Sequence, residues 1–436
     1  LTWKQSLSFS SPLKSLLEKL ECHFTWDLGC NKNELQDLQR NMQDKREQGC
    51  TWLVNYYNLL GYIQQALGSN SEALKYLQKA ESVMQEQGKE EAGVRLQINK
   101  ANLAWIYFYL GEMDKSKGYL EEVERLQRMH PAPPGCTLHP EVSGEKGWTL
   151  VKFDKYNKCK AIDCFKMALV AEPERNEWHK GLAIAMTKAN VNNKCPLELK
   201  ADILNQVKIA HEHEPNSLFL HALYLLKQFE VQPGDSEGEI QGLLERTLES
   251  GDLEGLSNIL KYFGKISVDT AIKEAERVQE KFPNSTLALK HLANCYKWKV
   301  YKVNEDNQDS EPFARKSIGL FEEVVRHYPH SLREKVALAS MHYYAGNSER
   351  ADEIYQQLLS EQDLSLYRQQ YIYYYYAWHL FISKRNQKSI NFHMKAAEIQ
   401  NISHEKQKSI RILQKVAENG KNPRCEEIKH FLERIG

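Results

Sequence analysis

The chain has 436 residues, 42% of them hydrophobic, and its 58 basic side chains are matched by 58 acidic ones. That length allows two or three ordinary domains or one long repeat array. A zero balance argues against a surface coated with positive charge for gripping the outside of a duplex, so a nucleic-acid site here has to be local and enclosed. The nine cysteines (Cys22, Cys30, Cys50, Cys136, Cys159, Cys164, Cys195, Cys295 and Cys425) form no CxxC pair. Free thiols in a reducing compartment are expected, rather than a zinc ribbon or a redox motif. No apolar run is long enough to span a bilayer and no signal-peptide core opens the chain, so a soluble cytoplasmic protein without membrane contact is expected.

The first predicted element carries Leu16, Leu17, Leu20 and Phe24 in a helical stripe and contains "LECHFTW", Leu20 to Trp26. Cys22 and His23 would point about 100° apart on a helix, which is awkward for joint ligation of one metal. With no third ligand nearby, the stretch is read as packing, with Phe24 and Trp26 capping the exposed end of the first repeat. That repeat follows in "NYYNLLGYIQQALGSNSEALKYLQKAESV", where Leu60, Gly61, Gly68, Ala73, Leu77 and Ala80 fall at the offsets of a tetratricopeptide repeat. Such a repeat is a helix-turn-helix unit of about 34 residues.

The pattern returns along the chain. Ala104 and Gly111 mark the next copy, then Ala161, Phe165, Ala168 and Pro173, then Ala271, Ala275, Val278 and Pro283. Phe321 and Pro329 follow, then Ala339, Gly346, Ala351 and Tyr355, and a degenerate copy runs from Tyr375 to Ile399. Irregular segments are expected at Met129–Glu145, Val231–Glu239 and Val300–Ala314, rich in proline, glycine and polar residues. The first holds Cys136 between His130 and His139, read as a solvated linker rather than a metal site. The tyrosine run from Tyr371 to His379 points all round a helix and is read as packing between repeats. The fold expected is all-α, a tetratricopeptide-repeat α-solenoid curled into a superhelix with an inner cavity. Three segments are expected: residues 1–130 with cap helices and two repeats, residues 138–285 with the central repeats, and residues 286–436 with the C-terminal repeats.

Five stretches in order, "LECHFTWDL", "NLLGYIQQALGSNSEALKYLQKAE", "LAWIYFYLGEMDKSKGYL", "EKGWTLVKF" and "GLAIAMTKA", resemble the interferon-induced proteins with tetratricopeptide repeats. The resemblance runs from Leu16 into the 420s. It implies a cytoplasmic, interferon-induced antiviral effector without a cofactor. Several members hold the 5′ end of non-self single-stranded RNA, triphosphorylated or incompletely methylated at the cap, in a basic cavity and block its translation; others work through protein partners.

Carried over by position, the resemblance implies that Trp148 stacks on a cap base and that Lys152 contacts phosphate. Residues four apart share a helix face, and a lysine on the face of Trp148 speaks against a dry core there. Glu177 and Ile184 match cavity positions. Lys188 stands where phosphate-binding members place an arginine, which keeps the charge but loses the planar fork. The aligned site of the family's tyrosine is Lys158, with Tyr156 two residues before it. Lys290 and His291 replace a histidine-glutamine pair, Arg40 matches an N-terminal arginine, and Ser257, Asn258 and Gly264 stand where relatives carry arginines.

Two functional expectations result. One is an RNA-binding effector built on Trp148, Lys152, Tyr156, Glu177, Ile184, Lys188, Lys290, His291 and Arg40. The other is a scaffold that binds related repeat proteins or translation and signalling components. With no Walker motif, GxSxG, HExxH or dinucleotide fingerprint, an enzyme is not expected, nor is a metal site.

Overall fold

In a computed structural model the chain is described over residues 12–47, 53–87, 90–190, 196–234, 236–306, 308–362, 364–401 and 403–435. Among these residues the regular elements are all helices, and contacts divide them into two compact units, Leu1–Pro233 and Gly234–Gly436. The first unit holds α1 (Pro12–Leu17), α2 (Lys32–Glu47), α3 (Leu53–Ala66), α4 (Asn70–Gln87), α5 (Glu90–Tyr109), α6 (Met113–Met129), α7 (Pro140–Leu150), α8 (Lys155–Ala171), α9 (Asn176–Ala189), α10 (Leu197–His213) and α11 (Leu218–Val231). The second holds α12 (Glu237–Ser250), α13 (Leu256–Ile266), α14 (Val268–Lys281), α15 (Thr286–Glu305), α16 (Glu311–His327), α17 (Leu332–Tyr344), α18 (Ser348–Ser360), α19 (Leu366–Ile382), α20 (Asn386–Glu398), α21 (His404–Glu418) and α22 (Cys425–Ile435). This is an all-α tetratricopeptide-repeat solenoid.

Small residues at the helix crossings build the pairs. A Cβ on Gly61 of α3 would lie 2.6 Å from Leu77 Cδ2 of α4, so only hydrogen fits there, and Ala73, Leu77 and Ala80 are fully buried behind it. Gly68, Gly111 and Gly346 close their turns with positive φ, a conformation costly to any residue with a Cβ. Within the first unit α3 packs on α5 and α7, and α7 packs on α9, so the first helices of successive pairs form one layer. Within the second, α13, α15, α17, α19 and α21 form the equivalent row.

Three segment boundaries differ from the sequence reading. The irregular stretch after α6 ends at His139, because that side chain caps α7 by accepting from the Glu141 N–H and Pro140 sits at the first helical turn, where its missing N–H is no loss. Residues 140–145 are therefore helix. Helix also covers Val231, Glu237–Glu239, Val300–Glu305 and Glu311–Ala314 within the two later segments expected to be irregular.

The stretch from Leu20 to Trp26 is no end cap. Phe24 meets Tyr62 of α3 and Trp105 and Tyr109 of α5 at ring separations of 5.3, 6.0 and 5.9 Å, and His23 bonds to residues of α5 and α7. It lies across three first-layer helices, where Cys22, His23 and Trp26 are buried.

Candidate nucleic-acid interface

Helix α7 is buried along nearly its whole length, which two glycines make possible. A Cβ on Gly144 would lie 2.0 Å from the Trp178 ring of α9, and one on Gly147 would lie 2.9 Å from the Phe165 ring of α8. Trp148 therefore packs edge-on to Phe165, centroids 5.2 Å apart, and is only 8% exposed. Lys152 follows the helix in a turn, yet its ammonium folds back to the Trp148 carbonyl at 2.5 Å and to Asn55 Oδ1 of α3 at 3.0 Å. Lys152 thus reaches the backbone oxygen of Trp148, while the indole lies in the hydrophobic core.

Beside them lies a charged cluster. Arg95 of α5 donates to Glu141 of α7 at 2.8 Å and to Glu177 of α9 at 3.2 Å, and Arg175 donates to Glu141 at 2.7 Å. Glu145, one turn beyond Glu141, accepts from Asn58 at 2.8 Å. Burial pushes the Glu145 carboxyl up to about 7, against the hydrogen bond from Asn58. Burial, and then the Glu141 carboxylate, push Glu177 up to about 8 despite the pull of Arg95 and Arg175. Glu141 and Glu177 thus share Arg95 and Arg175, two carboxyl groups set against two guanidinium groups, with Glu145 one turn along α7.

Helix α9 spreads its three expected residues along its axis. Glu177 sits in the first turn, Ile184 is buried mid-helix and Lys188 is exposed in the last turn. At the α-helical rise, Glu177 and Lys188 stand about 16 Å apart along the axis. Tyr156, in the first turn of α8, is half-exposed with the Lys160 ammonium 4.2 Å from its ring centre. Arg40 is half-buried on α2.

Lys290 and His291 lie in the second unit, on α15. Lys290 pairs with the buried Glu334 of α17 at 2.6 Å. Burial, helped by Lys290 and Lys261, pushes the His291 imidazole down to about 3, so it is neutral at physiological pH. Lys297, two turns along, donates to Asn294 Oδ1 at 2.7 Å. Burial pushes its ammonium down to about 8, with Arg333 and Lys290 adding to the fall and Glu334 opposing it. Ser257, Asn258 and Gly264 are on α13, where a Cβ on Gly264 would lie 3.3 Å from the Trp298 ring.

The sequence reading missed Arg95, Glu141, Glu145, Arg175, Asn55 and Lys297. One signal was present: Glu141 and Glu145 share a helix face with Gly144 and Gly147 beside them, and glycines at a helix crossing mean that neighbouring charges are enclosed too. Among the described residues no group of three or more His, Cys, Asp or Glu side chains is placed to hold a metal, and no helix is long and apolar enough to cross a membrane.

A tetratricopeptide-repeat family model matches residues 54–83 and 100–128, the α3–α4 and α5–α6 pairs. The chain is 29% identical to the Homo sapiens antiviral innate immune response effector IFIT1, over 93% of this chain and 87% of that one. It is 28% identical to the Homo sapiens interferon-induced protein with tetratricopeptide repeats 2, over 97% and 92%. Among solved structures it is similar to a monomeric mutant of IFIT1 with Gppp-AAAA, at a TM-score of 0.72 and 27% identity, covering 98% of this chain and all of that one. A human IFIT1 dimer with PPP-AAAA is similar at a TM-score of 0.69 and 26% identity, covering 97% and 95%.

Proposed function

Since the chain is a relative of the interferon-induced proteins with tetratricopeptide repeats along most of its length, we propose that it is an antiviral effector that binds the 5′ end of non-self single-stranded RNA and blocks its translation without bond chemistry. The observation that carries the reading is the likeness to a structure of IFIT1 with a capped oligonucleotide, at a TM-score of 0.72 over nearly the whole chain. In the first unit the ligand would lie along α7 and α9. Lys152, whose ammonium bonds Asn55 and the Trp148 carbonyl, would be the phosphate donor. Lys188 supplies a second charge at the far end of α9, and Ile184 lies between Glu177 and that end. Arg40 and Tyr156 are further candidate contacts in this unit, and Lys290 and His291 are candidate RNA contacts of the second unit taken by itself. Phosphate neutralisation of this kind weakens steeply as salt rises.

The test is titration of the full chain with one single-stranded RNA carrying a 5′ hydroxyl, a 5′ triphosphate or an unmethylated cap, at two salt concentrations. Lys188→Glu and Lys152→Ala are measured alongside. The expected result is a preference for the triphosphate or cap that weakens with salt and drops about tenfold or more in each variant. Equal, weak binding of all three RNAs, unchanged by either substitution, leaves a protein-binding scaffold in its place.

A further inference from the structure

The polar side chains beneath α7 form one line of hydrogen bonds whose direction follows from its two ends. The His23 backbone N–H donates to Asn102 Oδ1 at 3.2 Å, which turns the Asn102 amide nitrogen toward the imidazole, Nδ2 to Nδ1 at 3.1 Å. An amide nitrogen only donates, so Nδ1 accepts and the ring proton sits on Nε2. That proton is directed at Thr149 Oγ1, 3.2 Å away. At the other end the Lys152 ammonium only donates, and Asn55 Oδ1 receives it at 3.0 Å. The Asn55 amide nitrogen therefore faces Thr149 Oγ1 at 3.2 Å and the Glu145 carbonyl at 3.3 Å.

We infer that His23, as its neutral Nε2–H tautomer, is a positioning residue for Lys152, acting through Thr149 and Asn55. This rests on the reading of Lys152 as a phosphate ligand. His23, Thr149 and Asn55 are all buried, leaving little access for bulk water to replace a lost link. With Nε2–H donating to Thr149, the hydroxyl oxygen accepts from both sides and, together with the Glu145 carbonyl, keeps the Asn55 amide in the orientation that shows its oxygen to the ammonium. Without that donor the Thr149 hydroxyl is no longer fixed, and Asn55 is held against Lys152 from that side by the Glu145 carbonyl alone. Burial, and then the Lys152 charge, push the imidazole down to about 3, so the donor stays in place across the physiological range.

The test uses the full chain with His23→Leu, His23→Gln and Thr149→Val, the last removing the link from the other side at nearly constant volume. Three quantities are read: imidazole nitrogen shifts by NMR, the rate at which an amine-reactive ester labels Lys152, and affinity for 5′-triphosphate single-stranded RNA. A protonated Nε2 and an unprotonated Nδ1 are expected in the parent chain. His23→Leu and Thr149→Val should raise Lys152 labelling and weaken RNA binding about tenfold each, the value of one charge-assisted hydrogen bond. His23→Gln, whose amide nitrogen takes the place of Nε2, should restore both, and His23→Leu should add nothing to Lys152→Ala. A proton on Nδ1, unchanged labelling in both the Leu and Val variants, or equal RNA losses with and without Lys152 overturns the assignment. If the parent chain shows no 5′-end preference, the proposed function fails while tautomer and labelling still decide the role of His23.

Discussion

Arg95 and Glu141 meet 2.8 Å apart, Nε to Oε2, with the carboxylate side chain 1% exposed. A carboxylate so placed depends on its partners, because water cannot replace them. Arg95→Met leaves Glu141 with Arg175 alone, and a cost of about 3 kcal/mol is expected. Arg95→Met combined with Glu141→Met should recover most of that loss, since removing both charges also removes the burial penalty. Urea midpoints of the two single variants and the double check it. Additive losses would mean that the pair is not coupled.

Glu145 makes the first unit sensitive to pH in a direction opposite to that of an exposed ion pair. Its folded carboxyl holds a proton up to about 7, whereas the unfolded one releases it near 4.5. Between those values the folded state binds more protons, so this group's contribution to stability falls as pH rises. Glu145→Gln keeps an oxygen for Asn58 and never ionises. The variant should gain on the parent progressively from about pH 5 to about pH 8, read as the difference in melting temperature. A constant difference would show that Glu145 is ionised throughout.

Phe165 fits between two glycines of different helices. A Cβ on Gly181 of α9 would lie 2.3 Å from its ring, and one on Gly147 of α7 would lie 2.9 Å away. Gly181→Ala is expected to cost about 2 kcal/mol by overpacking. Adding Phe165→Leu should return part of the loss by making room, although Phe165→Leu alone destabilises. Denaturant titration of the three variants reads the sign of this coupling.

These residues also show what the sequence makes legible. The solenoid was readable because helix crossings demand small side chains at fixed offsets, and Gly61, Ala73 and Leu77 state that demand within one repeat. The charged cluster was not. Arg95, Glu141 and Glu177 are separated by 46 and 36 positions, and each looks locally like a solvated helix residue until the packing of α5, α7 and α9 encloses it. Trp148 was half readable: its neighbourhood to Lys152 follows from spacing, but its burial depends on Phe165 and on the glycine before it. His23 was noticed for its neighbour Cys22, when the residues that define it are Asn102 and Thr149.

Lys297 carries the last prediction, for the second unit. Its ammonium loses its proton as pH passes about 8. The unfolded lysine holds its proton to 10.5, so between those values the unfolded state binds more protons and stability rises with pH. Binding of a phosphate strand to the α15 and α17 row should do the reverse, because the cation that would meet it disappears. Affinity for 5′-hydroxyl single-stranded RNA is expected to fall between about pH 7 and about pH 9, and Lys297→Met should flatten that part of the fall while lowering the salt slope by about one. Comparison with the variant separates Lys297 from Glu145 and Glu177, whose ionisation over the same range adds negative charge to the first unit. If parent and Lys297→Met follow the same pH and salt profiles, Lys297 takes no part in binding the strand, and Lys290 with Arg333 must account for any affinity of this row.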